Sequence, residues 1–380
     1  MKIVYFITKS VWGGGARYIT DMASGLDTNL FELFVAAGGT EALKEKTQSL
    51  GLSYIEIPHF GRHIAIIADI ISFFEVLSIL QKERPDIIHV NSSKAGGVCG
   101  LAGFTYRFGG NQLKMIFTVH GWAFHEARPK WQRSLIRLFS KATCLFYDSV
   151  ICMTTIDYNS ALRYKIVPKR KLVLIPNGID INHMQFLKKK EAQEKLIGEE
   201  QKLVVGTIGE WNRNKGWDIL LDAVLPLLSR YTELFIIMIG SGENAEKSLL
   251  FSKIKENHIE ARVKTIEFIP EAARYLKALD IFIFPSRKEG FPYALLEASL
   301  AELPIIATAV GGNLDIINSD KTGILIPSEN PKMLATTLEK LIQNPKEAKK
   351  LGKNARERVE SNFSLAKMRE KTYKLYAARI

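Results

Sequence analysis

The sequence has few cysteines, which limits how the fold can be stabilised. Only three occur in 380 residues, each among apolar neighbours; they are Cys99, Cys144 and Cys152. Three unevenly spaced thiols are too few for a disulfide framework or a zinc ribbon. We therefore expect buried, reduced thiols of the kind found in cytoplasmic proteins.

Long apolar segments are also missing. The apolar run that follows Lys2 has five residues, Ile3 to Ile7, which is shorter than the core of a signal peptide. The best candidate for a membrane span, Ile64 to Leu80, is interrupted by Asp69 and Glu75. Each carboxylate near a bilayer centre costs roughly 2.5–3.5 kcal/mol. We expect a buried or interfacial helix here, and a cytoplasmic location for the chain.

Acidic residues are the minority among the charged side chains. The chain has 40 acidic and 52 basic residues, for a net charge of +12. A basic balance predicts an anionic partner, which could be nucleic acid, a lipid surface or a phosphorylated small molecule. Hydrophobic residues make up 47% of the chain, as in a packed globular protein, and the length favours two domains.

Short apolar runs alternate with longer helical segments. Such runs occur at 2–7, 33–37, 86–90 and 114–119, and again at 202–209, 234–240, 263–269 and 281–286. Continuous apolar runs predict strands covered on both faces, and alternation with helices predicts parallel sheets. We therefore predict an α/β protein with two doubly wound Rossmann-like domains that face a cleft. The polar stretch after Asn182 predicts the division, into 1–182 and 183–363.

Ligands of such sheets bind where the strands end. Gly13, Gly14 and Gly15 follow the first strand, where consecutive glycines can hold an anion at a helix start or can simply form a tight turn. Tyr18 stands where a dinucleotide fingerprint needs its third glycine. His120 ends the fifth strand, and a structural role and a role in a site are both open for it.

Two loops of the second half carry more specific signals. Arg213 and Lys215 lie in a strand-to-helix turn that would suit a diphosphate, although a surface turn with two stray cations has the same sequence. Glu289 follows a later strand, and Glu297 lies about one turn into the next helix, on an apolar face. Such carboxylates could accept hydrogen bonds from sugar hydroxyls, or could be a helix cap and a salt-bridged acid.

The segment from Glu289 to Glu297 resembles the E-x7-E motif of retaining glycosyltransferases of family four, which have two Rossmann domains (the GT-B fold). Segments similar to other landmarks of that family follow in the family's order along nearly all of the chain. They are 13–15, 86–90, 118–121, 175–180, 210–216, 310–312 and 322–327. The resemblance implies a hexosyl- or N-acetylhexosaminyltransferase whose first domain binds the acceptor and whose second domain binds a UDP- or GDP-sugar.

The resemblance also implies roles for individual residues. Catalysis would involve His120, Glu289, Arg213 and Lys215. The donor would be held by Gly14, Gly15, Arg213, Lys215, Ile269, Gly290, Phe291, Tyr293 and Glu297. Within this set, Glu297 would bind the ribose, Glu289 the transferred sugar, and Ile269 the base. A C-terminal helix at about 364–380 would cross back to the first domain.

The expected reaction needs neither a cofactor nor a metal. Cations and helix N-termini can stabilise the departing nucleotide diphosphate, and the sequence lacks an Asp-x-Asp motif. The sequence departs from the family at Glu210, where many members have an arginine, so Arg213 is expected to supply that charge.

The acceptor is expected to be a glycan or lipid-linked glycan of a bacterial surface polysaccharide. No acid occurs from residue 127 to 147, and cations recur near one helical face within 128–141. That helix could associate peripherally with an anionic membrane, or could be a solvated helix with a buried back. Nucleic acid is not expected as a partner. The alternatives are a non-catalytic nucleotide-sugar-binding protein and a nucleotide-sugar epimerase of the same fold.

Overall fold

The computed structural model describes residues 1–61, 65–126, 128–242 and 244–378. It divides into two compact units: Met1–Asn177 with Ala366–Ile380, and Gly178–Leu365. Each unit contains one parallel sheet with helices between its strands. The predicted α/β class with two doubly wound domains is confirmed.

The sheet of the first unit has seven strands in the order β3-β2-β1-β4-β5-β6-β7. The strands are β1 (Lys2–Lys9), β2 (Glu32–Gly38), β3 (Ser53–Glu56), β4 (Ile87–Asn91), β5 (Lys114–Val119), β6 (Ser149–Cys152) and β7 (Leu172–Leu174). The helices between them are α1 (Gly14–Ala23), α2 (Ala42–Ser49), α3 (Ile66–Glu83), α4 (Ser93–Phe108), α5 (Lys130–Leu145) and α6 (Thr155–Arg163).

The sheet of the second unit has six strands in the order β10-β9-β8-β11-β12-β13. The strands are β8 (Leu203–Ile208), β9 (Leu234–Ile239), β10 (Val263–Ile266), β11 (Ile281–Phe284), β12 (Ile305–Thr308) and β13 (Ile324–Ile326). The helices of this unit are α7 (Lys189–Ile197), α8 (Trp217–Leu228), α9 (Asn244–Glu256), α10 (Tyr293–Leu300), α11 (Asn313–Ile316), α12 (Pro331–Gln343) and α13 (Pro345–Asn362), and the chain then continues into α14 (Leu365–Ala377).

The central strands explain why their sequences are continuously apolar. Every residue of β4, β5 and β9 is buried, because helices cover both faces of each sheet. The three cysteines are free and buried in this core, as expected.

The boundary between the units differs from the one placed at residue 182. The first unit ends at Asn177 because the next residues pair with a late part of the chain. Ile179 forms a bridge with Ser364, and its amide donates to the carbonyl of Phe363 over 2.8 Å. This pairing is between residues far apart in sequence, so local composition does not reveal it.

Helix α14 belongs to the first unit. Its Arg369 donates to the carbonyl of Asp21 at 2.6 and 2.8 Å, and the hydroxyl of Tyr373 donates to the carbonyl of Met22 over 2.6 Å. Residues 379 and 380 of the helix predicted at 364–380 lie outside the described residues.

Helix α3 lies in the segment predicted to be a buried or interfacial helix; Ile64, where that segment begins, lies outside the described residues. Only Ser72, Val76 and Leu80 of this helix are buried. Large apolar residues on its other side are exposed, so this helix is only partly buried. None of the helices in the described ranges is long and apolar enough to cross a membrane.

Candidate active site

Two loops of the second unit lie beside each other because the strands that precede them are neighbours. Strands β8 and β11 pair in parallel, with Ile281 opposite Val205. The carboxyl ends of parallel strands meet at one edge of a sheet. The turn 209–216, after β8, and the loop 285–292, after β11, therefore approach each other at that edge.

A salt bridge joins these two loops. The Lys215 ammonium donates to Oε1 of Glu289 over 2.7 Å. The Glu289 side chain is 7% exposed and that of Lys215 21% exposed. Lys215 Nζ also lies 5.4 Å from the ring centroid of Phe284 at the end of β11. The structure thus brings together the predicted diphosphate ligand and the predicted sugar ligand.

The second cation of the turn after β8, Arg213, is more exposed than Lys215. Arg213 is exposed, within a short 3-10 helix at Arg213–Lys215. The acid that stands at the family's usual arginine position, Glu210, is also exposed and accepts a hydrogen bond from the Asn212 side chain over 2.9 Å. A partner within its own turn therefore engages the Glu210 carboxylate.

The loop that carries Glu289 is held closely by the loop between β12 and α11. Gly311 has a φ of +48°, and a Cβ there would lie 2.0 Å from the carbonyl oxygen of Glu289. The amide of Gly312 donates to the carbonyl of Gly290 over 2.7 Å. Only glycine permits this approach at Gly311, so the pair of glycines sets the position of the Glu289 loop.

Helix α10 follows this loop directly. Phe291 and Tyr293 are buried at its start, and Glu297 is buried one turn later with 8% of its surface exposed. A buried carboxylate on an otherwise apolar helix agrees with the predicted placement of Glu297. The first amides of α10 lie just after Gly290, and the N-terminus of a helix is a position suited to an anion.

Ile269 stands apart from these residues. The strand predicted over 263–269 ends at Ile266, so Ile269 lies in the loop beyond β10 rather than at a strand end. Strand β9 separates β10 from β8 in the sheet. Ile269 therefore lies further along the same sheet edge than Lys215 and Glu289.

The first unit brings His120 and Gly15 together. A Cβ on Gly15 would lie 3.9 Å from Cε1 of His120. His120 Nε2 lies 2.9 Å from Oδ1 of Asn91, at the end of the neighbouring strand β4. The Asn91 amide nitrogen donates to the carbonyl of His89 over 3.2 Å, so Oδ1 accepts from His120. The Nδ1 of His120 is then the ring's acceptor. A Cβ on Gly14 would meet nothing within 4 Å.

His120 is a neutral imidazole at physiological pH. Burial in the protein lowers its pKa to about 4, against a smaller opposing effect of Asp157. The ring also stacks edge-on against Tyr18, with centroids 5.3 Å apart. A neutral His120 can exchange hydrogen bonds with a sugar but does not supply a cation for a phosphate.

The groups suited to an anion in the second unit are Arg213, Lys215 and the first amides of α10. Groups of three or more His, Cys, Asp or Glu side chains that could hold a metal ion are absent from the part of the chain that the structure describes.

Two family sequence models together match most of the chain. The model described as "Glycosyltransferase Family 4" matches residues 12–183, and the one described as "Glycosyl transferases group 1" matches residues 188–358. The chain belongs to glycosyltransferase family 4. The predicted family resemblance and the predicted transferase class are confirmed.

Curated relatives of this glycosyltransferase include enzymes of bacterial polysaccharides. It is 25% identical to the UDP-Gal:alpha-D-GlcNAc-diphosphoundecaprenol alpha-1,3-galactosyltransferase of Escherichia coli, over 84% of this chain and 82% of that protein. It is also 25% identical to the capsular polysaccharide biosynthesis glycosyltransferase CapM of Staphylococcus aureus, over 81% and 82%.

Solved structures share the fold of this glycosyltransferase over its whole length. HepE of Anabaena, crystallised with UDP, has a TM-score of 0.84 at 18% identity, with 99% of this chain and 100% of that chain covered. A sucrose-phosphate synthase of Thermosynechococcus elongatus has a TM-score of 0.81 at 20% identity, with 99% and 98% covered. The predicted GT-B fold is thus confirmed.

Sequence reasoning missed Arg287 of the glycosyltransferase. Its guanidinium donates to both carboxylate oxygens of Asp218 at 2.7 and 2.8 Å, to Glu329 and to the carbonyl of Arg213 at 2.7 Å. Burial opposes the ionisation of Asp218, but the bonds from Arg287 outweigh it, so the pKa of Asp218 lies below its ordinary value. Arg287 thus ties the cation-bearing turn to the Glu289 loop. In the sequence, its position two residues before Glu289 could have indicated that Arg287 lies at this site.

Proposed function

We propose that this glycosyltransferase moves a sugar from a UDP-sugar to a lipid-linked glycan, with retention of anomeric configuration and without a metal ion. The observation that carries the proposal is the Lys215–Glu289 salt bridge at the edge of the second sheet. It places a cation suited to a diphosphate against a carboxylate suited to sugar hydroxyls, and these two groups are adjacent in a nucleotide-sugar.

Each end of the donor has candidate ligands. Glu297 would accept hydrogen bonds from the ribose, Ile269 would meet the base, and Glu289 would hold the transferred sugar. The diphosphate would lie on Arg213, Lys215, Gly290, Phe291, Tyr293 and the first amides of α10, and Gly14 and Gly15 are the donor ligands that the family resemblance implies in the first unit. The HepE structures, solved with UDP and with UDP-glucose, support uridine as the base.

The chemistry would be a same-face substitution. The bond from the anomeric carbon to the diphosphate oxygen breaks, and a bond from that carbon to the acceptor oxygen forms. The leaving phosphate takes the acceptor's proton, so no protein nucleophile is needed. Lys215 and Arg213 would stabilise the negative charge that develops on the leaving group, by preorganised electrostatics. His120 would bind the sugar near the reacting carbon.

The acceptor would be bound by the first unit. The Escherichia coli relative acts, by its name, on a sugar linked to diphosphoundecaprenol. A membrane-embedded acceptor of this kind would bring the enzyme to the cytoplasmic face of the plasma membrane as a peripheral protein. The basic helix within 128–141, now α5, is the predicted contact with anionic lipid.

A donor screen tests the proposal. Thermal shift and donor hydrolysis would be measured with UDP- and GDP-sugars in the presence of a chelator, for the wild type and for Glu297→Ala. Glu347→Ala, at a half-exposed acid of α13, is the control. We expect one UDP-sugar to stabilise the wild type and the control but not Glu297→Ala. Stabilisation by GDP-sugars alone would refute the uridine assignment, and activity only with added metal would refute the metal-free mechanism.

The anomeric configuration is tested separately. The product formed with a lipid-linked acceptor would be examined by proton NMR, and an inverted anomeric linkage relative to the donor would refute retention.

A further inference from the structure

The first unit exposes large apolar side chains on three neighbouring helices. Helix α3 packs against α4, and α4 packs against α5, so the three lie side by side in one layer over the sheet. On α3, Ile67 is 76% exposed and Phe74 is 61% exposed. On α4, Phe108 is 86% exposed. On α5, Trp131 is 67% exposed and Leu138 is 63% exposed. Exposed apolar residues that are grouped on one face of a protein often mark an interaction site.

The exposed residues form an outward face on each helix. On α3, Ile66, Ile67 and Phe74 are exposed, whereas Val76 and Leu80 are buried. In a helix of 3.6 residues per turn, Ile67 and Phe74 lie on the side opposite to Val76 and Leu80, and Ile66 is exposed at the start of the helix. Helix α3 therefore has two apolar faces, and the core of the protein uses only one of them.

Helix α5 shows the same arrangement more strongly. Cys144 is its only fully buried residue, while Trp131, Leu135, Leu138 and Phe139 are exposed. Their spacing of three, four and seven residues places them on one side of the helix. The apolar side chains beside the basic residues of α5 thus form its outward face.

Two acids within α3 have partners in neighbouring segments. Asp69 accepts a salt bridge from Lys94 over 2.6 Å, and Glu75 lies 2.7 Å from Nδ1 of His59. In the sequence, these two carboxylates were the reason for not predicting a membrane span in this segment. Their partners reduce the cost of bringing α3 close to hydrocarbon.

The basic stripe of α5 is partly engaged within the protein. Arg133 donates to the carbonyl of Phe124 over 3.2 Å, and the Arg137 guanidinium lies 4.5 Å from the ring centroid of Tyr164. Lys130 and Lys141, at the two ends of the stripe, are exposed. Their long side chains can reach phosphates beside an apolar contact.

We propose that the outward faces of α3, α4 and α5, here called the three-helix face, insert together into the headgroup and acyl boundary of an anionic bilayer, with Lys130 and Lys141 on lipid phosphates. The inference rests on the proposed lipid-linked acceptor and identifies where the first unit meets its membrane. The membrane contact predicted from the sequence was the basic stripe of α5. The three-helix face would instead contact the membrane mainly through apolar side chains.

Charge complementarity favours lipid as the occupant. Amphipathic surfaces that lie in a bilayer combine exposed aromatic and aliphatic residues with lysines at the edge, and anionic headgroups attract those lysines. A second copy of the chain would bring the same cations to the contact, where nothing on the three-helix face would neutralise Lys130 and Lys141.

Vesicle flotation tests the proposal directly. The full-length protein would be mixed with vesicles of phosphatidylcholine containing phosphatidylglycerol, and Ile67→Glu, Phe108→Glu and Leu138→Glu would be compared with the wild type. Each variant should weaken vesicle binding by at least about tenfold, because burial of one such side chain is lost. Leu30→Glu is the control, since Leu30 is 66% exposed but lies between α1 and β2. Circular dichroism and thermal melting would show that the variants remain folded.

Further measurements separate the possible failures. UDP-sugar binding and transfer to a short, water-soluble acceptor should be unchanged in the three variants, while transfer to vesicle-embedded acceptor should fall with vesicle binding. Wild-type protein that does not float with vesicles, yet transfers sugar, would overturn the three-helix face and leave the proposed function standing. Vesicle binding without donor binding would support the three-helix face and overturn the proposed function. Concentration-dependent dimers that the same substitutions break, with no vesicle binding, would assign the face to a second copy.

Discussion

The Lys215 ammonium donates to Glu289 Oε1 over 2.7 Å and thereby connects the turn after β8 to the loop after β11. The Glu289 side chain is nearly buried, so this bond offsets part of the cost of taking its carboxylate out of water. A bound diphosphate would compete with Glu289 for the same ammonium. The sugar hydroxyls would then have to replace the bond that Glu289 loses, which couples recognition of the two halves of the donor.

Substitution of Lys215 by methionine should damage both activity and stability. We expect kcat/KM for the donor to fall by about 100- to 1,000-fold, since the leaving group loses a preorganised cation. The free energy of unfolding should fall by about 1–3 kcal/mol, since Glu289 is left buried without its partner. The measurements are steady-state kinetics and urea denaturation.

The double variant Lys215→Met/Glu289→Gln is the control for that prediction. Removing the charge of Glu289 should restore part of the lost stability, because contacting residues couple by about 0.5–3 kcal/mol. Activity should stay low. Purely additive losses of stability would show that the two side chains are energetically independent.

Arg287→Lys should raise the donor KM by about tenfold with a smaller change in kcat. Lysine cannot reproduce the paired bonds to Asp218 together with the bond to the Arg213 carbonyl, so the cation-bearing turn loses its anchor. Arg356→Lys is a matched control, because Arg356 bridges Glu302 and Glu360 in the same unit. Equal KM effects in the two variants would mean that Arg287 has no specific positioning role.

Gly311→Ala should reduce donor turnover, whereas a control substitution at another glycine of positive φ should not. A methyl group would collide with the Glu289 carbonyl and displace the loop that carries this carboxylate. Gly198→Ala is the control, since Gly198 also has a positive φ, +80°, but a Cβ there would meet nothing within 4 Å. Both variants should lose about 1 kcal/mol of stability from the positive φ, Gly311→Ala should lose more because its methyl group meets backbone, and only Gly311→Ala should lose donor turnover. Equal activity in the two would contradict the proposed positioning of the loop.

The fold could be predicted from the sequence because buried parallel strands appear in it as short, continuous apolar runs. Runs such as 86–90 and 234–240 are apolar throughout, and the structure buries them completely as β4 and β9. The loop position of Glu289 and the helix position of Glu297 followed from the same pattern. Their roles remain predictions.

Features that depend on long-range contacts were not predictable. Arg287 finds its partners Asp218 and Glu329 at distant positions in the chain, and Ile179 pairs with Ser364. Hydropathy also could not tell which apolar side of α3 faces the core, because Ile67 and Val76 have the same character and opposite exposure. Packing against partners distant in sequence decides each of these cases.

His89 makes the stability of the first unit dependent on pH. It is buried, with Nδ1 2.6 Å from the Tyr376 hydroxyl of α14 and Nε2 2.6 Å from the Thr118 hydroxyl. Burial, assisted by His120, lowers the pKa of His89 from 6.5 to about 3. Between these two values the unfolded chain binds a proton that the folded chain does not.

The free energy of unfolding should therefore fall as the pH is lowered from about 6.5 towards about 3, and the His89 contribution is fully present above pH 6.5. One such group contributes a slope of at most about 1.36 kcal/mol per pH unit. His89→Gln, which has no titrating ring, should have a correspondingly shallower profile over this range, although it should be less stable at pH 7. Urea denaturation of both proteins at a series of pH values measures the difference. Parallel profiles would show that His89 accepts a proton in the folded protein as readily as in the unfolded chain, and that its bonds to Tyr376 and Thr118 do not require a neutral ring.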